Sequence, residues 1–156
     1  MRTTLHLHTA FTIDTVDPRV FGGFLEHLGR AVYDGVYQPE SAHADEEGWR
    51  RDVMAALKRL DFAAMRYPGG NFVSGYHWLD GVGPRTSRPT TRDLAWQSLE
   101  TNQIGTNEFM SLSRKMGWTP MMAVNLGTGT PEEARNWLEY CNVKGGSRWA
   151  DLRVEH

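Results

Sequence analysis

The sequence predicts an α/β protein with a parallel β-sheet. Three apolar stretches typical of strands alternate with three stretches of helical periodicity along the 156 residues. Such alternation favours parallel strands joined by right-handed helical crossovers. The long polar loops follow the predicted strands, at the edge where parallel α/β folds place their active sites. On this pattern alone, three βα units fit a doubly wound fold and part of a (β/α)8 barrel equally well.

The first predicted elements are a lone strand, a second strand and a helix. Residues 5–13 alternate apolar and polar side chains, which predicts a strand that Pro18 ends. A short apolar strand opens at Val20. Beyond a loop over residues 31–44, Asp45 is a plausible N-cap, and the Asp45–Glu47 acidic run would be favourable charge at the helix start. The apolar face of this helix would contain Trp49, Val53, Leu57 and Leu60.

The second βα unit has clear start and stop signals. Residues 61–67 form a predicted strand that ends at Pro68. A long loop follows, and a helix begins near Thr106. Gly117 ends that helix, since glycine readily adopts the left-handed conformation of a helix C-cap.

The third unit contains a strand from Thr119 and a helix with a well-formed start. Pro131 suits the first helical position, and Thr130 with Glu133 matches a capping box. The buried stripe of this helix is predicted to contain Ala134, Trp137, Leu138 and Cys141.

Composition excludes several classes of partner and cofactor. A net charge of −2 predicts no nucleic-acid partner, and the lack of a leader-like start or an 18-residue apolar run predicts no membrane partner and favours the cytoplasm. Cys141 is the only cysteine, so no internal disulfide can form. No nucleotide-binding glycine motif follows a strand. His6 and His8 have no third ligand at metal spacing, so we expect no metal and no cofactor.

Two charged residues lie at the ends of predicted strands. Glu26 interrupts an apolar run at the end of the predicted strand that opens at Val20, and a buried carboxylate needs a partner. It could form a salt bridge with Arg66 or accept hydrogen bonds from sugar hydroxyls. Arg66, at the end of the next strand, could hold a catalytic carboxylate ionised.

Amides and tryptophans in the loops are further candidates. Asn71 could bind sugar hydroxyls or serve as a turn residue, and for Asn125 we favour the turn. Trp78 and Trp96 lie in the long second loop. Each could stack on a sugar ring or anchor the loop to the body of the protein.

Several of these segments, in this order, resemble glycoside hydrolase family 51, the α-L-arabinofuranosidases. The resemblance spans nearly the whole chain, and the run RYPGGNFVSGY at residues 66–76 is its most specific part. The other matching stretches are residues 17–19, 23–30, 93–96, 100–102 and 125–130.

The resemblance implies a retaining hydrolase that removes terminal arabinofuranosyl groups from arabinan or arabinoxylan oligosaccharides. It implies a (β/α)8 barrel with a C-terminal β-sandwich, residues 1–17 joining the sandwich and residues 18–156 forming part of the barrel. Full-length members are usually cytoplasmic homo-oligomers. Glu26 and Asn71 are similar to the ligands of the arabinose hydroxyls, Arg66 to the arginine beside the nucleophile, and Trp96 to a wall of the neighbouring subsite.

The resemblance also implies that neither catalytic group lies in this sequence. Family members use glutamates after the fourth and seventh barrel strands, and the chain ends in the stretch leading to the fourth strand. Glu155 lacks the Asn-Glu pair of the family's acid/base. We therefore expect an N-terminal fragment that is inactive alone. The alternatives are a non-catalytic sugar-binding or assembly module and a related barrel glycosidase, a β-xylosidase or β-glucanase.

Overall fold

The computed structural model describes residues 1–156, and its three main strands pair in parallel. Strands β1 (Gly22–Phe24), β2 (Ala64–Tyr67) and β5 (Thr119–Met122) form one sheet in the order β1-β2-β5. Strands β3 (Thr91–Arg92) and β4 (Leu99–Glu100) form a small antiparallel hairpin within the loop after β2. The predicted α/β class with a parallel sheet is confirmed, and the hairpin is an addition to it.

Four α-helices accompany the strands. They are α1 (Arg51–Lys58), α2 (Thr106–Met116), α3 (Pro131–Asn142) and α4 (Arg148–Glu155). Single 3-10 turns occur at Thr9–Phe11, Pro18–Val20, Phe72–Gly75, Trp78–Gly81 and Arg85–Ser87. None of the helices has the length and apolarity that crossing a membrane requires.

The two faces of the parallel sheet have different surroundings. Met65 and Tyr67 point from β2 into the main core, where the Tyr67 ring stacks on Phe109 of α2 at 4.4 Å between centroids. The opposite face contains a row of Phe24, Arg66 and Met121, paired in register across the three strands. Phe24 is 61% exposed and Met121 is 53% exposed, so this face is open to solvent.

The first helix begins later than the sequence predicts. The Asp45 carboxylate accepts hydrogen bonds from the backbone N–H groups of Glu47 and Trp49, and α1 starts only at Arg51. Trp49 is fully buried, which draws the preceding turn into the core. The acidic run does not lie at the helix start, because Lys115 of α2 pairs with Asp45 at 2.7 Å and with Glu47 at 2.8 Å.

The lone N-terminal strand is not formed. Residues 1–17 are exposed and contain one 3-10 turn at Thr9–Phe11 but no strand. A strand needs a neighbour with which to pair its backbone groups, and no strand of the chain pairs with this segment. The assignment of this segment to a β-sandwich stays a prediction.

Helix α3 starts at Pro131 as predicted, but only the Thr130 half of the predicted capping box forms, because the Glu133 carboxylate lies 2.9 Å from Nδ1 of His77. The helix also buries a different face. The Thr130 hydroxyl accepts a hydrogen bond from the backbone of Glu133 at 3.1 Å. Trp137 is buried as expected, but Leu138 is 66% exposed and Tyr140 is buried in its place. The buried face is set by Trp78 and by α4, an unpredicted helix whose Trp149 also contacts Trp78.

We expect Thr130→Ala to destabilise the chain by about 1 kcal/mol, because it removes the side-chain cap of α3. Urea unfolding followed by tryptophan fluorescence measures this difference. Thr3→Ala is the matched control, since Thr3 is exposed and makes no side-chain hydrogen bond. Equal midpoints for the two variants would show that the cap contributes nothing.

Candidate functional site

The Glu26 carboxylate is fixed at the carboxyl edge of the parallel sheet. Glu26 lies two residues beyond β1 and is 6% exposed. Its Oε1 accepts a hydrogen bond from the backbone N–H of Phe72 at 3.0 Å. The backbone of His27 bonds to the carbonyl of Pro68, so β1 and the chain after β2 stay paired beyond the strands. Oε2 receives no hydrogen bond from the protein, and one carboxylate oxygen is therefore free to accept from a ligand.

The loop after β2 approaches Glu26 so closely that Gly69 leaves no room for a side chain. A Cβ on Gly69 would lie 2.1 Å from Cγ of Glu26, and the residue has a φ of +141°. The Tyr67–Pro68 peptide bond just before it is cis. A Cβ on Gly70 would be 3.5 Å from Glu26 Oε2 and 3.6 Å from Arg66 Nη2, so both charged groups border the same space.

Arg66 is near Glu26 but does not pair with it. No ion pair joins the two, so the salt-bridge interpretation of Glu26 is wrong; its oxygen is held by backbone instead. The Arg66 guanidinium lies 5.3 Å from the centroid of the Phe24 ring, and its Nε is buried without a hydrogen-bond partner. The Arg66 side chain makes no hydrogen bond or ion pair within the protein, so its terminal nitrogens can bind a carboxylate or a sugar oxygen.

Asn71 and the two loop tryptophans have different surroundings. Asn71 is exposed, and its side chain makes no hydrogen bond within the protein. Trp96 is 43% exposed in the β3–β4 hairpin, where the Asp93 carboxylate accepts hydrogen bonds from Trp96 N at 2.6 Å and from Ala95 N at 3.1 Å. No hydrogen bond, ion pair or aromatic contact joins Trp96 to the other three candidates.

Trp78 anchors the loop. It is 2% exposed, stacks parallel to Trp137 and donates from Nε1 to the carbonyl of Glu133 at 3.2 Å. Of the two interpretations of Trp78, anchoring is therefore the correct one, and Trp96 is the tryptophan that a ligand can reach.

Asn125 is a turn residue, as the sequence favoured. Its Oδ1 accepts hydrogen bonds from the backbone of Gly127 and Thr128, and its Nδ2 donates to the carbonyl of Tyr76. All of its polar capacity is used in joining the loops after β5 and β2.

A buried polar network beneath Glu26 was not predicted from the sequence. His27 Nδ1 lies 2.8 Å from Glu100 Oε2, and His27 Nε2 lies 3.1 Å from the Tyr67 hydroxyl. Glu100 also accepts hydrogen bonds from the Tyr33 hydroxyl and from the backbone of Asn102. No local spacing connects residue 27 with residue 100; the only signal was the charged pair Glu26-His27 in an apolar run.

Burial and hydrogen bonding act in opposite directions on this network. Burial alone would raise the pKa of Glu100, but the hydrogen bonds from His27, Tyr33 and Asn102 outweigh it and hold that pKa below its usual value. Burial raises the pKa of both Tyr33 and Tyr67. At neutral pH the network therefore contains a carboxylate and two neutral phenols.

The fold and the site together define a parallel α/β protein with a polar site at the carboxyl edge of its sheet. Residues 56–156 match the family model described as the α-L-arabinofuranosidase 1 domain. The chain is 54% identical over 146 residues to the intracellular exo-α-(1→5)-L-arabinofuranosidase 1 of Bacillus subtilis, with 94% of this chain and 29% of that protein covered.

Solved structures agree with the sequence comparison. The chain is similar to a family 51 α-L-arabinofuranosidase from Bifidobacterium longum, with a TM-score of 0.88, 52% identity, and 90% of this chain and 28% of that one covered. It is also similar to an α-L-arabinofuranosidase from Thermotoga maritima solved as an arabinose complex, with a TM-score of 0.84, 52% identity, and 86% and 28% covered. The chain belongs to the α-L-arabinofuranosidases of glycoside hydrolase family 51, and it spans about 29% of the length of the curated relative.

Proposed function

We propose that the chain forms the sugar-binding part of an α-L-arabinofuranosidase. The observation that supports this most directly is the Glu26 carboxylate, held by backbone on one oxygen and free on the other, beside an unpaired Arg66. Glu26 and Asn71 would accept and donate hydrogen bonds to the hydroxyls of one arabinofuranosyl ring. Arg66 would face the catalytic carboxylate, and Trp96 would border the next sugar.

The sheet is proposed as part of the wall of a (β/α)8 barrel. A doubly wound fold covers both faces of its sheet with helices, whereas a barrel places helices outside only. Here the core with α1 and α2 lies on the Met65 and Tyr67 face, and the row of Phe24, Arg66 and Met121 is open. In a barrel this row would face the interior.

The proposed reaction rests on the names of the relatives and on the chemistry of retaining glycoside hydrolysis. The Bacillus subtilis relative is named as an exo-acting enzyme on α-(1→5)-linked arabinofuranosyl units, so we propose terminal, non-reducing arabinofuranosyl residues as the substrate. Retaining hydrolysis needs two carboxyl groups about 5–5.5 Å apart, one as nucleophile and one as acid/base. We assign neither role to a residue of this chain. We also propose that the full-length enzyme acts on arabinofuranosyl oligosaccharides in the cytoplasm and that it assembles as a homo-oligomer.

A chimera tests this function. The chain replaces the 146-residue stretch that it matches in the Bacillus subtilis relative, and the product is assayed on an aryl α-L-arabinofuranoside and an aryl β-xyloside. We expect turnover of the arabinofuranoside by the chimera and none by the 156-residue chain alone. A preference for the β-xyloside would show that the proposed sugar is wrong. Turnover by the chain alone would show that it contains catalytic groups, and arabinose binding without any turnover by the chimera would favour a binding module.

In the same chimera, we expect Glu26→Gln to lower kcat/KM for the arabinofuranoside at least about tenfold, because a hydrogen bond to a charged group contributes about 1.5–3 kcal/mol. Steady-state kinetics measure the change. Glu46→Gln is the control, since Glu46 is an exposed carboxylate outside the site. Equal kcat/KM values for the two variants would show that Glu26 does not bind the substrate.

A further inference from the structure

We propose that His27 is a positioning residue that holds Glu26 in its binding orientation; this inference rests on the proposed function. His27 is 5% exposed, so it does not itself reach a sugar. Its role follows from the three chain segments that meet at its ring.

The imidazole joins the segments that contain the candidate site residues. It belongs to the segment after β1, next to Glu26. Its Nε2 lies 3.1 Å from the hydroxyl of Tyr67, the residue after Arg66 on β2. Its Nδ1 lies 2.8 Å from Glu100 in the hairpin that contains Trp96.

The direction of the hydrogen bond to Glu100 is fixed. The lowered pKa of Glu100 keeps it a carboxylate at neutral pH, and a carboxylate only accepts. Nδ1 of His27 therefore carries a proton and donates it to Glu100. Glu100 is held in turn by Tyr33 and by the backbone of Asn102, so the imidazole cannot rotate without breaking a buried charge-assisted bond.

The imidazole also touches the group that orients Glu26. Its ring stacks on the Phe72 ring with 4.6 Å between centroids and 14° between planes. The backbone N–H of Phe72 is the donor to Oε1 of Glu26. His27 thus acts on Glu26 twice, through the adjacent peptide and through Phe72. Loss of the ring removes one of the two aromatic contacts of Phe72, whose backbone N–H is the only protein donor to that carboxylate.

A double-mutant cycle between His27 and Glu26 in the Bacillus subtilis chimera tests the proposal. The variants are His27→Ala, Glu26→Gln and the pair, each assayed on the aryl α-L-arabinofuranoside at a temperature where circular dichroism shows it folded. If His27 acts through Glu26, the loss of kcat/KM caused by His27→Ala should shrink by about tenfold when Glu26 is already glutamine. KM should rise in His27→Ala, whereas a smaller folded fraction lowers apparent kcat and leaves KM unchanged.

Leu112→Ala is the control for a merely structural effect, because Leu112 is a fully buried residue of the main core, on α2. Its effect should be the same with Glu26 or with glutamine. His27→Asn keeps a donor near Glu100 and should recover part of the lost kcat/KM, which keeps the test valid if His27→Ala does not fold. If the chimera hydrolyses the arabinofuranoside but the losses of kcat/KM in His27→Ala and Glu26→Gln are additive, the positioning role of His27 is wrong and the proposed function stands. An unsubstituted chimera without that activity would overturn both proposals.

Discussion

Replacing Gly69 with alanine should lower kcat/KM for an aryl α-L-arabinofuranoside on the order of a hundredfold in the chimera with the Bacillus subtilis relative. The new methyl carbon would lie 2.1 Å from Cγ of Glu26, and its other near contacts are Cβ and Cδ of the same side chain, both at 2.7 Å. Such distances cannot be accommodated without moving one of the two groups.

Glu26 is the group that must move. Gly69 is part of a backbone segment that is tied to β1 through the bond between His27 N and Pro68 O, so its freedom is small. The Glu26 side chain has free torsions, and rotating it breaks the hydrogen bond from Phe72. A displacement of about 1 Å in a group that positions substrate can cost on the order of a hundredfold in rate.

Gly117→Ala is a control for alanine at a positive φ without a collision. Gly117 also has a positive φ, of +74°, but a Cβ there would meet nothing within 4 Å. Alanine at this helix end should cost about 1 kcal/mol of stability and leave kcat/KM unchanged. Similar losses of kcat/KM in the two variants would mean that backbone strain, rather than the collision with Glu26, accounts for the effect at Gly69.

The sequence predicts the parallel sheet well because its signals are local. Pro68 ends β2, Gly117 ends α2 with a left-handed φ, and Thr130 caps α3, as each residue type favours. The predicted start of α1 is wrong because of a tertiary contact. Trp49 is buried against Tyr37, at 5.4 Å between ring centroids, and that contact outweighs the capping preference of Asp45.

The candidate site was predictable only in part. Glu26 and Arg66 stand out in the sequence because a charged side chain at the end of an apolar strand is costly to bury unless it has a partner. What each one contacts was not predictable, since Glu26 is held by the backbone of Phe72, 46 residues away, and Arg66 is not its partner. The bond between His27 and Glu100 spans 73 residues, and only the folded sheet and hairpin bring the two together.

Replacing Glu100 with alanine should destabilise the 156-residue chain by about 3 kcal/mol at pH 7, because it leaves several buried donors without their acceptor and each such donor costs about 1–3 kcal/mol. Glu100 is 4% exposed and accepts from Nδ1 of His27, from the Tyr33 hydroxyl and from the backbone of Asn102 at 2.6 Å. Urea unfolding at pH 7 measures the loss. Glu132→Ala is the control, since Glu132 pairs with Arg135 at the surface, where an ion pair contributes about 1 kcal/mol or less.

The pH dependence of that difference identifies its source. Hydrogen bonds hold the pKa of Glu100 below its usual value in the folded chain, and an unfolded glutamate has a pKa of about 4.3. A group whose folded pKa is lowered contributes its stability above the unfolded pKa and loses it as the pH falls through the folded value. The difference in unfolding free energy between the original chain and Glu100→Ala should therefore shrink as the pH falls from about 5 into stronger acid. A difference that stays unchanged in acid would mean that Glu100 stabilises the chain by packing, and that its charge and the hydrogen bond from His27 contribute nothing.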